Sequence, residues 1–364
     1  IVGGVCLACL LLFSSRATAQ VRKFSNEFLA IGVGARALAM SNAQVASVND
    51  VTAGYWNPAG LLRVEADVQL AAMHAEYFAG IAKYDYGAFA TKIDSSSALG
   101  ISIIRFGVDD IPNTTELIDA QGNIDYNRIT SFSASDWGFM FSYAKRPNIP
   151  GLGIGGSAKV VHRRVGDMAT AWGFGLDLGA QYERNGWMFG AMARDITSTF
   201  NAWTFDLNET TKEVFEATDN ELPENSLEIT LPKLILAAGR KFIIRERVSI
   251  HAEMSADFTF DGQRNVLISN DAVSVDPNFG LEVGYLNFVF LRGGLGNIQR
   301  VKSEIGNFNT TTFQPNIGIG IKIRNFYIDY ALTDIGDQSV ALFSNIFSLK
   351  LDIYKKARSG NAYQ

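Results

Sequence analysis

From about Val64 to Tyr354 apolar and polar residues alternate along most of the chain with a period of two, the signature of strands with one apolar and one polar face. Val248 to Phe258 is a clear case, with every even position apolar and every odd one small or polar. Ile317–Arg324, Phe326–Tyr330 and Phe347–Ile353 repeat it, and Trp172–Gly179 sets Trp, Phe and Leu against Gly and Asp. The pattern predicts about fourteen strands, near 65–77, 81–92, 96–107, 134–145, 151–164, 170–182, 186–194, 226–241, 246–259, 278–286, 288–297, 314–324, 325–334 and 342–354. Linkers after even-numbered strands are tight, such as Asp94-Ser95, Asn185-Gly186, Leu286-Asn287 and Arg324-Asn325, whereas Gly107 to Ser133 and Asp195 to Asn225 follow odd-numbered ones. An even strand number with short turns on one side and long loops on the other fits an all-β, transmembrane antiparallel barrel better than a β-sandwich or propeller.

One stretch, Phe28 to Leu62, does not alternate. Its first half is small, apolar and glycine-rich around a single charge, Arg36; its second ends in Trp56-Asn57-Pro58-Ala59-Gly60, a turn sequence in which Gly60 is expected to take a positive φ. It reads as a plug, or else as an ordinary surface turn between a helix and a strand. Gly34-Ala35-Arg36-Ala37, Met40, Asn49-Asp50 and Tyr55 to Leu61 resemble the N-terminal region of the PorV/PorQ family of outer-membrane proteins, distant relatives of FadL-type fatty-acid transporters. The resemblance implies that the Asn-Pro-Ala turn belongs to a hatch inside the barrel, with Arg36, Trp56, Asn57, Pro58, Ala59 and Gly60 as its motif. It departs at Met40-Ser41-Asn42-Ala43, where the family reads Met-Gly-Gly-Ala.

The apolar run from Val2 to Phe13, followed by Ala17-Thr18-Ala19, reads as a signal peptide, which places both cysteines, Cys6 and Cys9, in the leader. The expected organisation is therefore a signal peptide over 1–19, a hatch over 20–63, a barrel over 64–356 and a tail over 357–364. No later run approaches the roughly 18 apolar residues of a membrane helix, so a mature chain in a membrane spans it as a barrel. The balance of 37 acidic against 32 basic residues gives no reason to expect nucleic acid as a partner.

Little in the pattern points to catalysis. His74, His162 and His251 sit on different strands without metal-site spacing, so neither metal nor cofactor is expected; Ser249, His251 and Ser255 share one face but point to a lumen. The lumen row carries both signs: Lys159, Arg163, Asp177, Arg194, His251, Glu253, Asp257, Glu282, Lys322, Arg324, Asp329, Lys350 and Asp352. Such a mixture suits ion pairs that brace a barrel or hold a plug, and one of these acids is the expected partner of Arg36. Pro232 interrupts an apolar run and marks either a strand starting at Lys233 or a kinked wall strand with a sideways exit. Aromatics among acids in the long loop, Phe200, Trp203, Phe205 and Phe215, are candidate anchors for a protein partner.

The resemblance implies a non-enzymatic outer-membrane subunit of a secretion machine, of the type IX kind, with outer-membrane lipid, other outer-membrane proteins and cargo signal domains as partners. Alternatives are FadL-like transport of hydrophobic compounds and a structural role in another complex, such as barrel-assembly machinery.

Overall fold

The computed structural model describes residues 25–117, 123–302, 309–335 and 343–355; the expected signal peptide and C-terminal tail lie outside these. Fourteen antiparallel wall strands close into a barrel. They are β1 (Val68–Tyr77), β2 (Ala82–Lys92), β3 (Ser97–Asn113), β4 (Thr130–Lys145), β5 (Leu152–Val165), β6 (Ala169–Arg184), β7 in two pieces (Trp187–Arg194 and Thr199–Phe205), β8 in two pieces (Ser226–Thr230 and Lys233–Ile244), β9 (Val248–Thr259), β10 (Ser274–Tyr285), β11 (Val289–Lys302), β12 (Asn309–Ile323), β13 (Phe326–Thr333) and β14 (Ser344–Ile353). Closure is between the first strand and the last, through nine residue pairs from Val68↔Ile353 to Glu76↔Asn345. It leaves no sheet edge, which is what lipid requires of a spanning sheet.

The alternation of the sequence becomes an inside and an outside. Phe141, Trp172, Leu178, Met254 and Phe347 are exposed on the outer wall, while Ser142, Asp177, Glu253 and Ser255 are buried in the bore. On β6 the ten steps from Trp172 to Tyr182, at about 3.3 Å each and a tilt of about 40°, span about 25 Å of membrane, the height of an apolar band between two aromatic girdles. The tight periplasmic turns use left-handed backbone, at Asn185-Gly186, Arg245-Glu246 and Leu286-Asn287. Two outer connections are equally tight, Phe78 to Ile81 and Gly166 to Met168, so long loops follow only some of the odd strands. Arg324, at φ 54° in a turn and exposed, leaves the expected lumen row. Arg292 of β11, buried in the bore, joins it.

The non-alternating stretch fills the bore. It folds as a 3-10 turn (Glu27–Leu29), α1 (Ala35–Ala39), α2 (Ala53–Trp56) and a 3-10 segment (Pro58–Arg63), with Val33, Ala39, Met40, Val45, Val48 and Leu61 fully buried. Helices this short are marginal alone and persist here because the wall encloses them. Asn57 caps the Pro58–Arg63 segment, accepting from the Ala59 N–H at 3.2 Å, and its amide donates to the carbonyls of Val45 at 3.1 Å and Ala180 at 3.0 Å. Wall glycines make the fit possible. A Cβ on Gly179 would stand 2.2 Å from Asn57 Oδ1, and one on Gly155 2.7 Å from Ala59 N.

Two expectations for this stretch change. Gly60 does not take a positive φ; it lies inside the 3-10 segment, and what it provides is clearance, since a Cβ there would meet the Val48 carbonyl oxygen at 2.4 Å. Ser41 and Asn42, standing where the resembled family has glycines, take φ 50° and 66° and keep the left-handed path. Close approach at this point is supplied from the wall, where a Cβ on Gly294 would lie 2.4 Å from Ser41 N, while Ser41 Oγ accepts from Asn316 Nδ2 at 2.7 Å.

Replacing Asn57 by Ala is expected to cost about 2–3 kcal/mol of hatch stability through the lost amide bonds, read as earlier proteolysis within 28–62 of the folded barrel. Asn42→Gly should be tolerated, whereas Asn42→Val should lower stability by about 1–2 kcal/mol, because a β-branched residue resists left-handed backbone; chemical denaturation in detergent separates the two.

Candidate functional site

The hatch divides the bore into two chambers that share no lining residue among those described. The outer vestibule, about 770 Å³, has a floor of hatch residues that includes Phe28, Ile31, Leu38 and Trp56, and a rim of mixed charge that includes Asp136, Arg163, Lys233, Asp257 and Asp334. Ion pairs across strands occupy much of that charge: Arg163 with Asp136 at 2.9 Å and Lys233 with Asp257 at 2.8 Å. The lower chamber, about 320 Å³, is lined mostly by charged residues, with Ile243, Val248, Phe290 and Tyr327 interspersed.

On the lower side the hatch is latched by ions. Arg36 makes a two-pronged pair with Glu282, at 2.9 and 3.1 Å. Glu282 also accepts from Arg292 at 2.7 Å, and Arg292 reaches Asp329 at 2.6 Å. A second latch joins Asp50 to Lys350 at 2.7 Å. Burial works against the charged form of Asp50, yet the Lys350 ammonium and the Arg36 guanidinium hold its carboxyl down at about 2. Backbone N–H groups of the hatch complete the attachment: Ala35 donates to Ser348 Oγ at 2.7 Å, Ala46 to Glu253 Oε1 at 2.7 Å and Val51 to Gln69 Oε1 at 2.6 Å.

On the upper side a single cation stands under the vestibule floor. Arg194, at the end of the lower piece of β7, is 7% exposed, and no carboxylate pairs with it among the described residues. Its guanidinium lies 4.3 Å from the Tyr55 ring centroid and 5.6 Å from that of Trp56, and donates to the Tyr55 carbonyl at 3.2 Å. The Trp56 indole N–H donates to the Val33 carbonyl at 2.9 Å and the Tyr55 hydroxyl to that of Leu29 at 2.7 Å, so both rings are fixed.

Beside Arg194 the wall itself is interrupted. β6 is continuous and pairs with the lower piece of β7 as far as Leu178↔Ala193 and with the upper piece from Phe174↔Phe200. Four steps along β6 therefore face seven along β7, and the three extra residues are taken up within 195–198, where Asp195 and Ser198 are in left-handed backbone, Asp195 lines the bore side and Ile196 and Thr197 are exposed. Glycines on β6 make the room: a Cβ on Gly175 would fall on Thr199 Oγ1 and one on Gly173 on Asn201 Oδ1. The bulge is pinned by the Asp195 N–H on Asp177 Oδ1 at 2.8 Å, by Ile196 N–H on the Leu176 carbonyl at 2.9 Å, and by Lys159, which pairs with Asp177 at 2.8 Å and with Asp195. The neighbouring strand breaks at the same height, at Leu231-Pro232. Strand pairing does begin at Lys233, and a further piece of wall, Ser226–Thr230, continues above the break, so the two expectations for Pro232 meet.

A pocket of about 70 Å³ runs from this double break to the hatch, lined by Leu29, Tyr55, Leu231 and Pro232 and by charged groups such as Lys159, Asp177, Arg194 and Asp195, and it shares Asn26, Glu27, Ala30, Arg194, Lys233 and Arg264 with the vestibule. Ser25 and Asn26 of the hatch border it and hold the upper wall pieces, through Asn201 Nδ2 at 2.8 Å to each and Asn26 Nδ2 on Thr230 Oγ1 at 2.9 Å.

Most of the aromatics expected as loop anchors lie elsewhere. Phe200, Trp203 and Phe205 belong to the upper piece of β7, Phe200 facing outward opposite Phe174 and Trp203 carrying the Arg163 guanidinium at 5.0 Å. Of the four, only Phe215 is on the loop, half-buried in its helix α3 (Glu209–Ala217). No cluster of His, Cys, Asp and Glu among the described residues could hold a metal ion.

No family model and no curated protein matches the chain. Solved structures do match. The toluene transporter TodX of Pseudomonas putida superposes with a TM-score of 0.55 at 12% identity, over 89% of this chain and 99% of its own. The toluene transporter TbuX of Ralstonia pickettii gives 0.52 at 14%, over 89% and 99%, and a FadL homologue of Pseudomonas aeruginosa 0.51 at 11%, over 88% and 98%.

Arg36→Ala leaves Glu282 with Arg292 alone and is expected to raise open probability in planar bilayers; an unchanged trace would show that the latch does not hold the hatch. Because Asp50 titrates near 2, its latch is intact above the ordinary carboxylate range and is lost only as pH falls through that value. Hatch protection from proteolysis should therefore stay level from about pH 8 to about pH 4. With these contacts in place, the chain is an outer-membrane β-barrel that shares the fold of the FadL-type channels.

Proposed function

We propose that this barrel conducts small hydrophobic compounds from the outer surface into the membrane by way of the wall. The observation that carries this is the double break at 195–198 and 231–232, which lies between the aromatic girdles and is joined through a pocket to the outer vestibule. A compound would settle on the apolar vestibule floor, pass the Tyr55–Trp56–Arg194 cluster and leave past Leu231 and Pro232 into hydrocarbon, sparing it the charged lower chamber. A cavity of about 150 Å³ is one known to hold benzene; at about 70 Å³ this pocket is the closed state, and the hatch residues bordering it, Ser25 to Glu27, Leu29 and Ala30, are the part that yields. The superposed TodX and TbuX, titled toluene transporters, support this choice of ligand class.

The secretion-partner role implied by the N-terminal resemblance is the second reading, favoured by one feature, the exposed acidic face of α3 with Glu209, Glu213 and Glu216. It draws no support from the comparisons, and three of its four candidate anchors belong to the wall.

Deleting the three residues 196–198, so that β7 keeps step with β6, is expected to cut uptake of a monoaromatic hydrocarbon by cells at least several-fold while the barrel still shows a folded, heat-modifiable band. Unchanged uptake would overturn the channel; loss of a co-purifying translocon subunit with uptake intact would favour the partner role.

A further inference from the structure

Below the wall break, on the same side of the barrel, the outer wall carries a row of unusual composition. Register aligns Arg184 of β6 with Trp187 of β7, and Trp187 with Arg240 of β8. Alternation turns all three outward, level with the periplasmic girdle. Arg240 lies 4.9 Å from the ring centroids of both Trp187 and Phe242, so its planar face is held while its N–H edge remains available. Neither arginine has a hydrogen bond or an ion pair among the described residues. Their strands are two inter-strand spacings apart, about 10 Å.

A lone cation facing lipid is costly unless it finds an anion at the interface, and the protein supplies none here. The adjoining turn adds Arg245, its Glu246 and Arg247 line the lower chamber, and Glu183, next to Arg184 in the chain, is engaged by Arg63 at 2.7 Å. Elsewhere the periplasmic rim carries both signs, with Glu65, Asp67 and Asp94 but also Lys92, Lys145, Arg146 and Arg324. What sets this row apart is Trp187 standing between two outward arginines, on β6 and on the two strands that carry the break, β7 and β8.

We infer that Arg184, Trp187 and Arg240 form a binding site for the phosphate headgroup of an inner-leaflet phospholipid. Guanidinium N–H groups suit a phosphodiester, and the indole fixes the headgroup depth. From Arg184 up to Leu178 is six residues, about 15 Å along the membrane normal at about 3.3 Å per residue and a tilt of about 40°. That is one leaflet of hydrocarbon. Acyl chains of the bound lipid would therefore lie on Phe189 and Leu236 and end at the lower lip of the break, closing it from outside. The site rests on charge and girdle height and stands whether or not hydrocarbons pass the wall.

The test is native mass spectrometry of the purified barrel in detergent, titrated with phosphatidylglycerol, with the uncharged diacylglycerol of the same chains, and with inorganic phosphate. Wild type should retain phosphatidylglycerol at least tenfold better than diacylglycerol, inorganic phosphate alone should give no adduct, and Arg184→Gln with Arg240→Gln should abolish the preference. Equal retention of both lipids would overturn the site, as would an undiminished preference in the double variant. Adducts of phosphate without a lipid requirement would show an ion site instead and overturn the lipid assignment. The lipid series on wild type decides the matter should the double variant fail to fold, and Arg240→Lys, which keeps charge but not the planar stack, should fall between the two.

Discussion

Every feature of this barrel follows from one constraint, that a backbone polar group facing hydrocarbon must have a partner. It closes β1 onto β14, and it makes an interrupted wall strand an expensive object. The break in β7 exists because its freed groups are answered locally: Asp177 accepts from Asp195 N, and Leu176 from Ile196 N. Lys159 then neutralises the two carboxylates this brings together. A polar cluster buried in the wall of a membrane protein is thus the requirement for having a gap there at all.

The hatch solves the opposite problem. It has little regular structure to satisfy its own backbone, so its N–H groups are met by wall side chains, Ser348, Glu253 and Gln69, and its carbonyls by Asn57 and Gln181. Its two faces differ in chemistry. Downward it meets wall charges and is held by ion pairs; upward it presents aromatic and aliphatic side chains beside the wall's Arg194, which no carboxylate pairs among the described residues. The chamber with an apolar floor and a charged rim therefore opens to the outside, and the mostly charged one to the periplasm.

Much of this was legible in the sequence, for a physical reason. Strand alternation records which side faces lipid, so Val248 to Phe258 reads as a wall strand without further help, and the stretch that fails to alternate reads as the plug. Asn57 and Pro58 were visible as a turn, and Arg36 as a lone charge in need of an acid. What the pattern hid were features set by three-dimensional register. Asp195-Ile196-Thr197-Ser198 reads as the start of a loop, because a bulge and a loop use the same residue types; the signal lay across the barrel, in Gly173 and Gly175, which leave space on β6. Trp203 and Phe205 looked like loop anchors because the upper part of β7 lies beyond that bulge. Gly60 appeared to need a special φ when it needed only to lack a side chain.

The contacts of Asp50 with Lys350, of Ala35 with Ser348 and of Val51 with Gln69 share a property of order in time. They fall on β1 and β14, the two strands that meet last, and the first two join residues 300 and 313 positions apart. The N-terminal segment is made first, yet its bonds to Ser348 and Lys350 cannot form until the final strand has arrived. Folding of the hatch is therefore a report on closure of the cylinder: a chain whose last strand has not docked keeps this segment loose and exposed to periplasmic proteases, and a closed one withdraws it.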